Sequence, residues 1–264
     1  MIKTKIIINA MCFHLDSTNT VQYYLKPNLL LNKHLKKFIE IKFLDNIICI
    51  NCKNNIRKSF NHGYCYYCFK KLARCDICIV KPELCHYQYG TCREKSWGQK
   101  NCLVPHIVYL SNTNDVKVGI TRKSNRINRW INQGAIQAIS IIEVNDRLLS
   151  GQIEVILKKY ISDKTYWKKM LQNSKIIDLK NYRDSLLKQV ENVLSTKINF
   201  IKEDISFFKY PIVREVENVT SLNFNTENSI RGHLIGVKGQ YLILDNGVFN
   251  VRKFSGHYCE INIS

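Results

Sequence analysis

The chain has 264 residues, 45% hydrophobic and 23% charged, so it can bury a substantial core and belongs to no disordered or fibrous class. Its formal charge of +19 is the unusual number; an excess of that size favours an anionic partner, DNA or RNA first, through counterion release and long-range attraction. No run of about 18 apolar residues is present to span a membrane.

The opening "MIKTKIIINAMCFHLDSTNT" reads as a strand and not as a signal peptide, because its apolar run is short and lacks a cleavage site. The expected compartment is therefore cytoplasmic. There, eleven cysteines point to metal ligation and away from disulfides. Residues 1–45 form an N-terminal β segment, with "VQYYL" (21–25) and "IEIKFL" (39–44) as strands.

Residues 46–104 read as a zinc-binding module. Nine of the eleven cysteines fall here. "CINC" (49–52) and "CYYC" (65–68) are C-x2-C pairs separated by twelve residues. Each pair can close on one ion as a tight turn, and two turns supply the four thiolates of tetrahedral Zn2+: Cys49, Cys52, Cys65 and Cys68. This spacing is close to a zinc ribbon. A third pair, Cys75 and Cys78, needs two partners from Cys85, His86, Cys92, Cys102 and His106. The pattern thus predicts two structural Zn2+ sites, with the second ligand set open. Cys12 and Cys259 stand alone and read as small buried side chains.

Residues 105–172 open with a hairpin. Val108 and Leu110 share one face of its first strand, and Val116, Val118 and Ile120 make the apolar face of the return strand across the turn "NTND" (112–115). The other face offers Tyr109, Lys117, Gly119 and Thr121. Arg122, Arg126 and Arg129 follow, in a chain where lysine is the commoner base; the planar guanidinium suits bidentate phosphate binding. "AISIIEV" (138–144) reads as a third strand, and "LSGQIEVILKKY" (149–160) as an amphipathic helix carrying Glu154. Read as ordinary structure, these residues are a half-buried strand tyrosine, a charged surface helix, and a glutamate paired with Lys158 at i+4.

In residues 173–264, Leu179, Tyr182, Leu186, Val190 and Leu194 predict an amphipathic helix over 179–197. "YLIL" and "VFNV" flank Asp-Asn-Gly, a strong hairpin signal. The N- and C-terminal strands are expected to pair into a small barrel-like module, where Lys238, Arg252 and Lys253 are compatible with a nucleic-acid strand.

The segments "IVY" (107–109), "KVGIT" (117–121), "RW" (129–130) and "GQIE" (151–154) resemble, in order and spacing, the core of the GIY-YIG nucleases. With "KPELCH" (81–86), "GTCRE" (90–94), "WGQKNC" (97–102), "RWINQGA" (129–135) and "SDKTYW" (162–167), the chain from about residue 40 onward also resembles an uncharacterised bacterial domain-of-unknown-function family in which zinc-binding cysteines precede such a core. The resemblance implies one-metal phosphodiester hydrolysis. Tyr109 would take or relay the proton of the attacking water, Arg129 would hold the scissile phosphate, and Glu154 would bind Mg2+ or Mn2+. Lys117 stands where the motif has tyrosine, and a longer loop before Arg129 makes Arg126 an alternative phosphate ligand.

The expected fold class is α+β: a zinc-ribbon-like module, a small mixed GIY-YIG-like core, and a β-rich module from the terminal strands. The expected function is nucleic-acid binding with a nuclease-type centre. The alternatives are a non-enzymatic zinc-ribbon module acting on RNA or in a nucleoprotein complex, and a redox or zinc-sensing protein.

Overall fold

Alternating apolar residues build the long strands at both ends of the chain, and continuous apolar runs build those in its middle. In the computed structural model, which describes every residue except 27, 192–197, 217–218 and 225–226, the chain forms two compact units, Met1–Lys70 with Phe208–Ser264, and Lys71–Phe207. In chain order the first unit carries β1 (Ile2–Ile7), β2 (Cys12–Leu15), β3 (Val21–Tyr24), β4 (Phe38–Ile48) and β5 (Asn55–Ile56), followed by helix α1 (Tyr66–Lys71). The second carries α2 (Lys95–Asn101), β6 (His106–Asn112), β7 (Val116–Arg122), α3 (Arg126–Asn132), β8 (Gln137–Val144), α4 (Arg147–Leu157), α5 (Trp167–Leu171), α6 (Leu179–Glu191), β9 (Asn199–Phe200) and β10 (Ser206–Phe207). The chain then returns to the first unit with β11 (Ser221–Leu222), β12 (Ser229–Lys238), β13 (Tyr241–Leu244), β14 (Gly247–Asn250) and β15 (His257–Ile263).

In the first unit the terminal strands do pair. β15 lies between β1 and β4, β4 continues to β12, and the order runs on through β13 and β14 to β11. Among the described residues this path does not return to β1, so the module is a sheet with two ends and not a closed barrel. The Asp-Asn-Gly turn joins β13 to β14, with Leu244 opposite Gly247. Lys238 is buried, against the Tyr210 ring at 5.4 Å, and is not a surface cation. Cys259 is fully buried, whereas Cys12 is exposed. Cys12 sits on the solvent face of β2, where exposed and half-buried side chains alternate.

In the second unit β6 is central, with β7 on one side and β8 on the other, all antiparallel. Val108, Leu110, Val118, Ile120, Ile139 and Ile141 of this sheet pack with Ile153 and Leu157 of α4 and Leu179 and Leu186 of α6. Of the stripe expected on the last helix, Leu179 and Leu186 are buried and Tyr182 is exposed; Leu194 and the Val190 side chain lie outside what is described. The hairpin differs from expectation in one respect. Both faces of β6 are buried along its whole length, because Trp130 packs edge-on against Tyr109 at 5.9 Å on the side opposite the main core.

The close approach of Pro82 and Glu83 to α4 depends on Gly151. A Cβ there would stand 2.3 Å from Glu83 N and 2.5 Å from Pro82 C, both rigid backbone atoms. Gly151→Ala is expected to cost about 1–3 kcal/mol by overpacking, read as a lower urea midpoint with an unchanged slope.

Candidate metal centre and phosphate-handling cluster

The first centre lies in the loops around β5. Cys49, Cys52, Cys65 and Cys68 bring their sulfurs within 4.8 Å of one another. Cys52 Sγ and Cys65 Sγ are 3.8 Å apart, the edge of a tetrahedron whose metal–sulfur bonds are about 2.3 Å. The backbone is shaped for thiolates. Cys65 N–H donates to Cys49 Sγ at 3.2 Å, and Cys68 N–H to Cys65 Sγ at 3.3 Å. Burial raises the Cys49 thiol, but hydrogen bonds from the backbone N–H groups of Cys65, Cys52 and Asn51 outweigh it and bring it down to about 6. Positive φ at Lys53 (64°) and Gly63 (119°) turns the chain beside the two pairs, and at Gly63 a side chain would also strike Ile50. The four cysteines could therefore hold a zinc ion.

The second centre gathers at one face of the β6–β7 hairpin. Tyr109 is opposite Gly119 in register, and Lys117 lies diagonally next to it on the same face. Gly119 is required here: a Cβ would stand 2.6 Å from the Tyr109 hydroxyl. A register shift between Val108 and Tyr109 in the pairing with β8 helps to aim the tyrosine. Arg129 and Gln133, one helical turn apart, close over it. With the Gln133 amide turned so that both ends are satisfied, its nitrogen donates to Tyr109 Oη at 2.8 Å and its oxygen accepts from Arg129 Nε and Nη2, each at 3.1 Å.

α4 supplies Glu154. Asp146 caps this helix by accepting from Leu149 N–H at 2.8 Å, which sets Glu154 two turns in, beside the sheet. Its carboxylate is buried and lies 3.9 Å from Lys158 Nζ; Lys158 in turn pairs with Asp163 at 3.0 Å. Lys117, also buried, donates to the Asp163 carbonyl at 3.0 Å.

Electrostatics knit the group together. Burial raises Tyr109, with Arg129 working against the shift. Burial lowers Lys117 to about 8, and the charge of Arg129 adds to that. Burial raises Glu154 despite Lys158, Lys117 and Arg129 nearby. A buried carboxylate that its neighbouring cations do not fully compensate is suited to bind a further cation.

Among the sequence candidates, Tyr109, Lys117, Arg129 and Glu154 thus come together from four elements. Arg122 and Arg126 do not join them: Arg122 donates to Asn101, and Arg126 lies 3.9 Å from Glu203. Of the remaining cysteines, Cys78, Cys85, Cys92 and Cys102 line one pocket with His86. Cys75 is buried in the preceding turn and is not part of that lining. His106 is buried, its Nδ1 2.7 Å from the Val104 carbonyl, and burial lowers it to about 4. Gln133 and Asp163 were not singled out from the sequence. The i,i+4 spacing of Gln133 from Arg129 was a usable signal for the first; nothing local marks the second.

Fold and site define a mixed α+β protein with a four-cysteine cluster able to hold zinc. The family described as "Protein of unknown function (DUF2797)" matches residues 36–259, and the chain belongs to it. No curated protein and no solved structure matches. Among the described residues, no helix is long and apolar enough to cross a membrane.

Proposed function

We propose that this protein binds nucleic acid and that the Tyr109–Lys117–Arg129–Glu154 cluster is a phosphodiester-cleaving centre of GIY-YIG type, working with one Mg2+ or Mn2+. The observation that carries the reading is the convergence of these four side chains, from β6, β7, α3 and α4, on one face of a three-stranded antiparallel hairpin-plus-strand. The net charge of +19 favours the polyanionic substrate.

Glu154 is the residue that would hold the ion; a bound divalent cation stabilises charge developing on the phosphate. Arg129 is anchored through Gln133, and its residue is exposed, so its guanidinium can meet a phosphate from solvent. Tyr109 Oη accepts from Gln133 and is hydrogen-bonded to Arg129, which leaves its own proton as the one exchanged with the attacking water. Arg129 favours the phenolate that such a base requires, working against burial and the Glu154 charge, which raise Tyr109.

A second reading, a binder that does not cut, is favoured by Lys117. Its ammonium is held on the Asp163 carbonyl and acts electrostatically on Glu154, and so already supplies positive charge to the cluster.

The test is a panel of duplex, branched and single-stranded DNA and structured RNA, incubated with zinc-loaded protein and Mg2+ or Mn2+. Cleavage of one class supports the centre. Retention in a gel shift without cleavage, with affinity falling steeply with salt, selects the second reading. In either case Arg129→Ala is expected to weaken retention by about tenfold, the loss of one charge-assisted contact of about 1.5 kcal/mol. Neither cleavage nor retention on any substrate would remove nucleic acid as the partner.

A further inference from the structure

We propose that Cys78, Cys85, Cys102 and His86 form a second metal site, for zinc, and that the ion pins the segment carrying these residues to the first turn of α4. The proposal stands apart from the nuclease reading, because its readouts are metal content and backbone protection.

The ligand chemistry converges in one pocket, lined by all four residues. Cys78, Cys85 and Cys102 face the same pocket, with the Cys85 thiol as the electrostatic neighbour of the other two. A ligand nitrogen of His86 lies within 4.8 Å of the Cys78 sulfur and an Asp76 oxygen. The other side of the ring is oriented as metal-bound imidazoles usually are. His86 Nδ1 is 2.7 Å from Thr91 Oγ1, which can fix the tautomer and leave Nε2 as the ligand. Asp76 Oδ2 lies 2.6 Å from Arg93 Nε and 3.5 Å from His86 Nε2, so its first partner is the arginine and a metal would take the histidine nitrogen from it; the Cys92 thiol turns to the Glu94 carbonyl at 3.5 Å. Three cysteines and one histidine make a closed set typical of structural zinc.

Two of the ligand residues are bonded through their own backbones to the start of α4. Arg147 N–H donates to the Cys102 carbonyl at 2.9 Å. The Arg147 side chain donates to Cys78 O at 3.2 Å and to Ile79 O at 3.0 Å. One turn further on, Pro82 and Glu83, just ahead of Cys85, rest on Gly151. An ion holding Cys78, Cys85 and Cys102 together would therefore fix three points of attachment to α4, the helix that carries Glu154.

Zinc per chain in the intact protein, measured by elemental mass spectrometry, tests the site, and the wild-type value needs no variant. Two ions are expected, falling to one in Cys85→Ser and also to one in Cys52→Ser, with Cys75→Ser keeping two. Hydrogen exchange supplies the second readout. Amides of 148–157 should exchange at least tenfold faster in Cys85→Ser and at the wild-type rate in Cys52→Ser. A single ion in the wild type, unaffected by Cys85→Ser, would overturn the site, as would a Cys78–Cys85 disulfide in the purified protein. Loss of the second ion in Cys75→Ser would overturn this ligand set. Unchanged exchange over α4 when the second ion is lost would overturn the coupling.

Discussion

Glu154→Gln is expected to abolish Mg2+- or Mn2+-dependent cleavage and to leave retention of nucleic acid in place. The amide keeps the size of the side chain but removes the charged oxygen that a hard cation requires. The loss should exceed the roughly 10- to 100-fold that removal of an outer-shell partner costs, because the carboxylate would touch the ion directly. The fold should survive. Burial already disfavours the charged form of Glu154, so a neutral isostere relieves desolvation while it forfeits a pairing with Lys158 that is 3.9 Å long. Turnover and gel retention would be measured side by side, with a melting curve as the control for folding. Cleavage at the wild-type rate would remove Glu154 from the centre. Cleavage and retention failing together with an intact melt would make Glu154 a binding residue.

The second large effect is expected on stripping zinc from the four-cysteine centre. Structural zinc contributes about 10–16 kcal/mol of apparent binding energy in small zinc-folded peptides, and the whole stability of a domain is about 5–15 kcal/mol. Cys49 is fully buried where β4 runs out, with three backbone N–H groups turned to its sulfur. Cys49→Ser, or exhaustive chelation, is expected to lower the melting midpoint by more than about 10 °C, the shift produced by a loss of about 4 kcal/mol in a chain of this size. Calorimetry with and without re-added zinc measures it. Recovery on re-addition to the chelated wild type, and none in Cys49→Ser, is the expected pattern. A melt indifferent to chelator would show that the cluster does not hold the fold together.

Local features were legible in the residues themselves. The C-x2-C spacing brings Cys49, Cys52, Cys65 and Cys68 together because each pair is a single turn and twelve residues suffice to close one on the other. The alternation over 106–122 and the polar "NTND" between the runs specify the hairpin, with Tyr109 opposite Gly119. The apolar spacing in 149–160 specifies α4 and puts Ile153 and Leu157 in the core. The Asp-Asn-Gly turn specifies the β13–β14 hairpin. In each case the deciding interaction lies within about one turn or one strand pair, so the order of residues carries it.

Which side chains meet across elements was settled by packing. Arg122, Arg126 and Arg129 look alike in the sequence, yet among them Arg129 is the one bonded to the Tyr109–Gln133 pair: Arg122 ends β7 and turns to Asn101, and Arg126 opens α3 and turns to Glu203. By alternation Lys117 falls on the hairpin face away from the apolar one, and it is buried, with the segment around Asp163 running along β7 and accepting from its ammonium. The third C-x2-C pair looked like one more knuckle, but Cys78 lies beside Cys85 in a pocket that Cys75 does not line. Cys12 looked like a buried residue and is exposed, because its side chain lies on the solvent face of β2, whose exposed and half-buried residues alternate. The residues alone thus determined the turns, the strand and helix periods and the four-cysteine cluster that could hold zinc, which rest on short-range geometry. Which residues join Tyr109, Lys117, Arg129 and Glu154, and which line the pocket of Cys78 and Cys85, depend on how helices seat against the sheet, a balance of packing over many residues that no local spacing encodes.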